Sequence, residues 1–208
     1  MVSIPCPAVI LLLFVCRAPL TLWRTVWRVC LAYQIFGRFS DVCALTKADI
    51  TFATEPRPHM TIRLKGGKTD RRNRGFIRFV SENSASPEYC LVSLTRQYLD
   101  RLGPQHSGFL VGRTQNGPHK NLYIDDRHRL SYSTALKEFR LLLMKIGCNP
   151  SEYAEHSAKR GAATAASNAG IDETTMSRFA GWSTRTMAAL YTEWPASRHL
   201  DVSDKLAL

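Results

Sequence analysis

Apolar and polar positions recur along this chain with two different periods, and those periods divide it into elements. Thr21 to Phe36 (TLWRTVWRVCLAYQIF) is apolar at helical spacing with arginines between, which predicts a core helix. It runs into Gly37-Arg38-Phe39-Ser40-Asp41-Val42, where Ser40 or Asp41 is placed to cap a second short helix reaching about Leu45. Asp49 to Thr54, His59 to Leu64 and Gly75 to Val80 alternate with period two and read as strands. Lys65 to Arg74 links the last two, so the prediction is a small antiparallel sheet with a strongly basic hairpin. Residues 81 to 89 read as loop, Cys90 to Leu102 as an amphipathic helix ended by Gly103-Pro104, and 103 to 130 as an irregular connection. Ser131 to Ile146 is helical and stopped by Gly147-Cys148-Asn149-Pro150. His156 to Ala169 is Ala-rich and helical, with Gly170 as its C-cap. Asp172 caps a helix to about Phe179, and Ser183 caps another that carries Met187, Leu190 and Tyr191. The fold class that results is mainly α with a small three-stranded antiparallel sheet (α+β).

Composition narrows the class of partner. The 208 residues suit one ordinary domain, and 45% hydrophobic with 10% aromatic residues is enough apolar mass for a core. Lys and Arg outnumber Asp and Glu by 28 to 17, a formal charge of +11, which favours a polyanion, nucleic acid first. The six cysteines (6, 16, 30, 43, 90 and 148) lack C-x-x-C or zinc-ligand spacing, and the six histidines are scattered, so no structural metal is expected. Ala8 to Val15 is an apolar run far too short to span a bilayer, and no Lys or Arg precedes it. It reads as a core helix or a misassigned start, and the chain is expected to be neither secreted nor membrane-bound.

Two patterns in the last third carry chemistry. His156-Ser157-Ala158-Lys159-Arg160-Gly161-Ala162-Ala163-Thr164 sets two cations three and four residues after a histidine, near one face of a helix. Gly181-Trp182 is followed nine residues on by Tyr191. Gly67-Lys68-Thr69 imitates the end of a phosphate-binding loop, but that motif needs glycine where Ile62 stands, so nucleotide binding is rejected.

The histidine stretch, the Gly-Trp pair and the late tyrosine resemble the C-terminal box of tyrosine recombinases, the phage integrase-like enzymes. Gly37-Arg38-Phe39-Ser40-Asp41 resembles that family's first arginine motif, and Lys68 its strand-turn lysine. The order Arg, Lys, His, Trp, Tyr is kept from residue 38 to residue 191.

The resemblance implies metal-independent cleavage of duplex DNA through a 3′-phosphotyrosyl intermediate, with neither ATP nor another cofactor. Tyr191 is then the nucleophile. A phenol with a pKa near 10 needs cations and a base to help it. Arg38 offers a bidentate fork to the scissile phosphate. Lys68 would protonate the leaving 5′ oxygen, His156 would act as base or shuttle, and Trp182 would donate its indole N–H. Asp41 would orient Arg38 or His156. Lys65, Arg71, Arg72 and Arg74 would bind backbone phosphate.

The sequence departs from the pattern at the second arginine, which falls on Lys159, with Arg160 one position later and about 100° around the helix. Lysine supplies charge without a fork, and losing one such transition-state contact costs roughly 3 kcal/mol. Either Lys159 suffices, Arg160 swings in, or the reaction is slow or lost.

The expected organisation is an apolar segment at 1–20, a catalytic domain at 21–194 and a tail at 195–208, without the family's N-terminal DNA-clamping domain. The tail is similar to that of recombinases from eukaryotic mobile elements. The expected partners are double-stranded DNA and further copies of the chain in a tetramer-like assembly on DNA, with 195–208 as candidate contact. Location follows from the partner: the nucleus in a eukaryote, aided by the Lys68 to Arg74 cluster, and otherwise the cytoplasm. A type IB topoisomerase-like enzyme, a catalytically inert DNA-binding remnant, and a basic helical protein unrelated to DNA cleavage are the alternatives.

Overall fold

The computed structural model describes residues 18–65, 75–117, 122–154 and 156–182. The apolar run at 8–15, the helix expected after Ser183 and the tail lie outside them.

Helix α1 (Leu20–Gln34) is the axis of the molecule. Trp27, Val29, Leu31 and Ala32 are fully buried. So are its arginines: Arg24 is 1% and Arg28 0% exposed. Such burial is tolerable only with partners. Arg24 Nη1 donates to Gly112 O at 2.5 Å and Thr114 Oγ1 at 2.8 Å, Arg28 Nη2 donates to Ala135 O at 2.8 Å, and Glu138 takes an ion pair from each. The core helix expected from the apolar spacing is thus buried on its arginine side too.

Around α1 pack α2 (Phe39–Cys43), α3 (Leu91–Leu102), α4 (Tyr132–Lys145) and α5 (His156–Asn168). Trp27 stacks on Tyr98 of α3 at 4.9 Å between ring centroids and donates its indole N–H to Thr95 Oγ1 at 3.0 Å. α6 (Glu173–Ala180) follows, its first turn capped by Asp172, whose Oδ1 accepts from the N–H groups of Thr174 and Thr175. Ser131 caps α4 through Thr134 N–H.

Strands β1 (Ile50–Ala53), β2 (His59–Leu64) and β3 (Phe76–Ser81) form an antiparallel sheet in the order β1-β2-β3. Ile62 pairs with Ile50 on one side and Arg78 on the other, and Leu64 with Phe76. The β2–β3 hairpin is the basic one; residues 66–74, which link the two strands in sequence, lie outside the described residues.

The structure corrects two local expectations. Residues 103–130 are not an irregular connection throughout: β4 (Gly112–Asn116) and β5 (Leu122–Arg129) pair antiparallel as a second, two-stranded sheet. Little apolar alternation marks β5, because only Ile124 and Asp125 are buried. Carboxylates hold it instead. Asp125 Oδ2 accepts from Gln115 Nε2 at 2.8 Å, and Asp126 Oδ2 accepts from the N–H groups of Ser107 and Gly108. Gly112 admits the close strand, since a Cβ there would lie 1.8 Å from Asp125 O. The second correction concerns α2. Neither Ser40 nor Asp41 is its N-cap; Arg38 is, and Asp41 reaches back from the third helical position to accept Arg38 N–H at 3.1 Å.

Cys43 and Cys90 are buried free thiols, and Cys148 is half-buried and free. Among the described residues no helix is long and apolar enough to cross a membrane.

Candidate active site

The way α1 ends places Arg38. Phe36 N–H donates to Tyr33 O at 3.1 Å and Gly37 N–H to Ala32 O at 2.8 Å, the bond pair of a Schellman termination. Phe36, at φ 53°, holds the left-handed position where glycine is usual. That backbone costs about 1–2 kcal/mol for a residue with a Cβ. Aromatic packing offsets it: the Phe36 ring lies 5.3 Å from Phe179 and 6.1 Å from Trp182. The reversal brings Arg38 to the head of α2. Phe39 seats that helix, stacked under Arg28 at 5.1 Å and edge-on to Phe139 at 5.2 Å.

Arg38 and Asp41 face a cleft of about 330 Å³. Lys65 and Arg78 reach it from the sheet, Lys159 from α5, and Trp182 from just beyond α6. Arg38, Lys159 and Trp182, each singled out from the sequence, are therefore together, and Lys65 stands at the hairpin base beside them. Lys159 is 6% exposed, with Nζ 5.1 Å from the centroid of the Trp182 ring. Burial pushes its pKa down to about 8; Arg38 and Arg78 push the same way, and Asp41 opposes them.

Two expected site residues stand outside the cleft's lining. His156 is exposed at the first position of α5, and Arg160 is half-buried; neither lines the cleft. Lys159 rather than Arg160 thus occupies the cleft. Lys68, Arg71, Arg72, Arg74 and Tyr191 lie outside the described residues.

Sequence reasoning missed Arg78. Its signal was the strand period: Arg78 shares a face with Phe76 and Val80, so burying that face of β3 buries an arginine with it. Sequence reasoning also missed a second cleft, of about 580 Å³, that Ser40 and Cys43 of α2 share with Arg113, Arg127, His128 and Arg129. Its cations sit on β4 and β5, in the stretch whose glycines and prolines predict an irregular connection.

The three-dimensional likenesses are to recombinases. XerH site-specific recombinase, bound to a palindromic difH substrate in a post-cleavage complex, superposes with a TM-score of 0.67 at 12% identity, over 95% of this chain and 49% of that one. XerA recombinase gives 0.60 at 16% identity, over 100% and 66%. The Tn1549 transposon integrase in complex with transposon right-end DNA gives 0.63 at 14%, over 100% and 66%. This chain spans between about half and two thirds of the length of those solved chains. No curated protein matches the sequence. The fold is that of an integrase or recombinase catalytic domain. A model of the phage integrase family matches residues 10–198, and the chain belongs to that family.

Proposed function

We propose that this chain cleaves and rejoins duplex DNA as a tyrosine recombinase, with Tyr191 as nucleophile. The observation that carries the reading is the convergence of Arg38, Lys159 and Trp182, from three separate elements, on one cleft whose lining, among the described residues, holds a single carboxylate, Asp41. Such a cleft suits a phosphodiester: cations neutralise the non-bridging oxygens as negative charge builds on them. Tyr191 Oη attacks phosphorus, a 3′-phosphotyrosyl bond forms, and the bond from phosphorus to the 5′ oxygen breaks. Lys68, on the hairpin whose base carries Lys65, gives that oxygen its proton. His156, at the head of the helix that carries Lys159 and outside the cleft lining, serves the tyrosine as base or shuttle from the cleft's edge. The arginines of the basic hairpin, and those of β4 and β5, hold flanking backbone phosphates. The chain acts in assemblies of several copies on DNA, through residues 195–208, and in a eukaryote it works in the nucleus as the product of a mobile element.

The test is a pool of nicked duplexes of randomised sequence, in which the released strand diffuses away and traps the adduct. The expected result is a covalent complex on a denaturing gel that Tyr191→Phe abolishes. An adduct that survives that substitution removes Tyr191 from the role. Lys159 in place of an arginine favours a second reading, an inert DNA-binding remnant; binding without any adduct would select it.

A further inference from the structure

Strand β3 wears its side chains against the usual polarity. Ile77 is 53% and Phe79 60% exposed, while Arg78 between them is 8% exposed. A slip of one residue would bury the two apolar side chains and release the arginine. The register excludes it: Val80 opposite Met60 and Phe76 opposite Leu64 fix Arg78 opposite the fully buried Ile62. The fold thus withdraws a guanidinium from water and aims it into the cleft.

That guanidinium is poorly satisfied there. Nη1 donates to Ile77 O, its own neighbour, at 3.2 Å, and Nε has no hydrogen-bond partner among the described residues. Its carbon lies 5.5 Å from the centre of the Phe76 ring. Among the described residues Asp41 is the one carboxylate that lines the cleft, and it accepts from Arg38 N–H. Burial lowers the pKa of Arg78, which Asp41 partly restores. A buried, under-bonded cation is costly, and an anion entering the cleft would relieve it. Room for the side chain comes from Gly181, where a Cβ would lie 2.8 Å from Arg78 Nη2.

We propose that Arg78 is a second phosphate-binding arginine of this cleft, supplying from β3 the planar fork that Lys159 cannot supply from α5. The inference rests on the cleft being the phosphodiester site described above. Arg38 and Arg78 then hold the two non-bridging oxygens, and Lys159 adds a point charge between the guanidiniums and the Trp182 indole. The fork has moved from a helix to a strand.

The experiment compares wild type, Arg78→Lys, Arg78→Ala and the double variant Arg78→Ala/Lys159→Arg, with melting temperatures to show that each folds. Adducts are formed first on the randomised nicked pool, then on duplexes carrying a methylphosphonate at the cleaved position. That linkage replaces one charged non-bridging oxygen by a methyl group and so needs one cation fewer. Arg78→Ala is expected to slow adduct formation about 100-fold and Arg78→Lys less. Lys159→Arg is expected to recover part of the loss in the double variant, and the methylphosphonate to narrow the Arg78→Ala deficit. A merely structural arginine would show neither recovery. An Arg78→Ala rate within threefold of wild type, or a deficit the methylphosphonate leaves unchanged, overturns the proposal. If wild type forms no adduct, the recombinase reading fails, and binding of the same pool still judges Arg78. Its loss should lower the slope of log affinity against log salt by about one; an unchanged slope refutes the phosphate contact.

Discussion

Lys159 Nζ lies 5.1 Å from the centroid of the Trp182 ring, so a cation of α5 and the indole just past α6 share one wall of the cleft. Burial and the two neighbouring guanidiniums hold that lysine at a pKa of about 8, against an ordinary value of 10.5. Above pH 8 the free protein carries it largely neutral, and an incoming phosphate must restore its proton. DNA affinity should therefore fall as pH rises from 7 to 9, by up to about tenfold per unit once above 8. Titrating binding at fixed ionic strength checks this, and Lys159→Arg should flatten the profile. A profile equally steep in that variant would assign the proton elsewhere. For stability the sign is opposite: between about pH 8 and 10.5 the unfolded chain holds the lysine proton and the folded one does not, so this group adds stability as pH rises.

Gly181 ends α6 with φ +66°, and a methyl group there would meet Arg78 Nη2 at 2.8 Å. Gly181→Ala should cost about 1–2 kcal/mol for the left-handed backbone, a fall of a few degrees in Tm for a chain of this size. It should also push the Arg78 head aside, because a flexible side chain yields before backbone does. A thermal melt and a DNA-binding titration read the two effects separately. Weaker binding with an unchanged Tm would mean that the backbone strain is absent.

Glu138 is the carboxylate that takes ion pairs from both buried arginines of α1. Glu138→Ala leaves two guanidiniums at 1% and 0% exposure without it, and should cost about 3–5 kcal/mol. Glu138→Gln, which still accepts hydrogen bonds, should cost less. Denaturant unfolding measures both. A loss below about 1 kcal/mol for the alanine variant would mean that water reaches Arg24 and Arg28.

Asp41 opposes the positive field that depresses Lys159 and also accepts Arg38 N–H. Asp41→Asn keeps an acceptor for that bond and removes the charge. Its Tm at low salt should fall, with added inorganic phosphate restoring part of the difference by occupying the cationic cleft. A variant as stable as wild type in salt-free buffer would show that the cleft cations do not need the carboxylate.

Much of the scaffold was written in local pattern. The long apolar helix, the three alternating strands and the Asp172 cap each follow from side-chain chemistry acting within a few residues, and the structure has them within a residue or two. The motif order pointed to Arg38, Lys159 and Trp182 because residue type and spacing are properties of the chain itself. Tertiary structure decided the rest. A strand exposes two faces, and pattern did not reveal that β3 turns Arg78 inward while leaving Phe79 in water; pairing with Met60, Ile62 and Leu64 did. The choice between Lys159 and Arg160 depended on how α5 is rotated against α1, where one residue is a turn of about 100°. The second sheet was invisible because hydrogen bonds to Asp125 and Asp126 hold it more than apolar burial, and such bonds form only once distant segments meet.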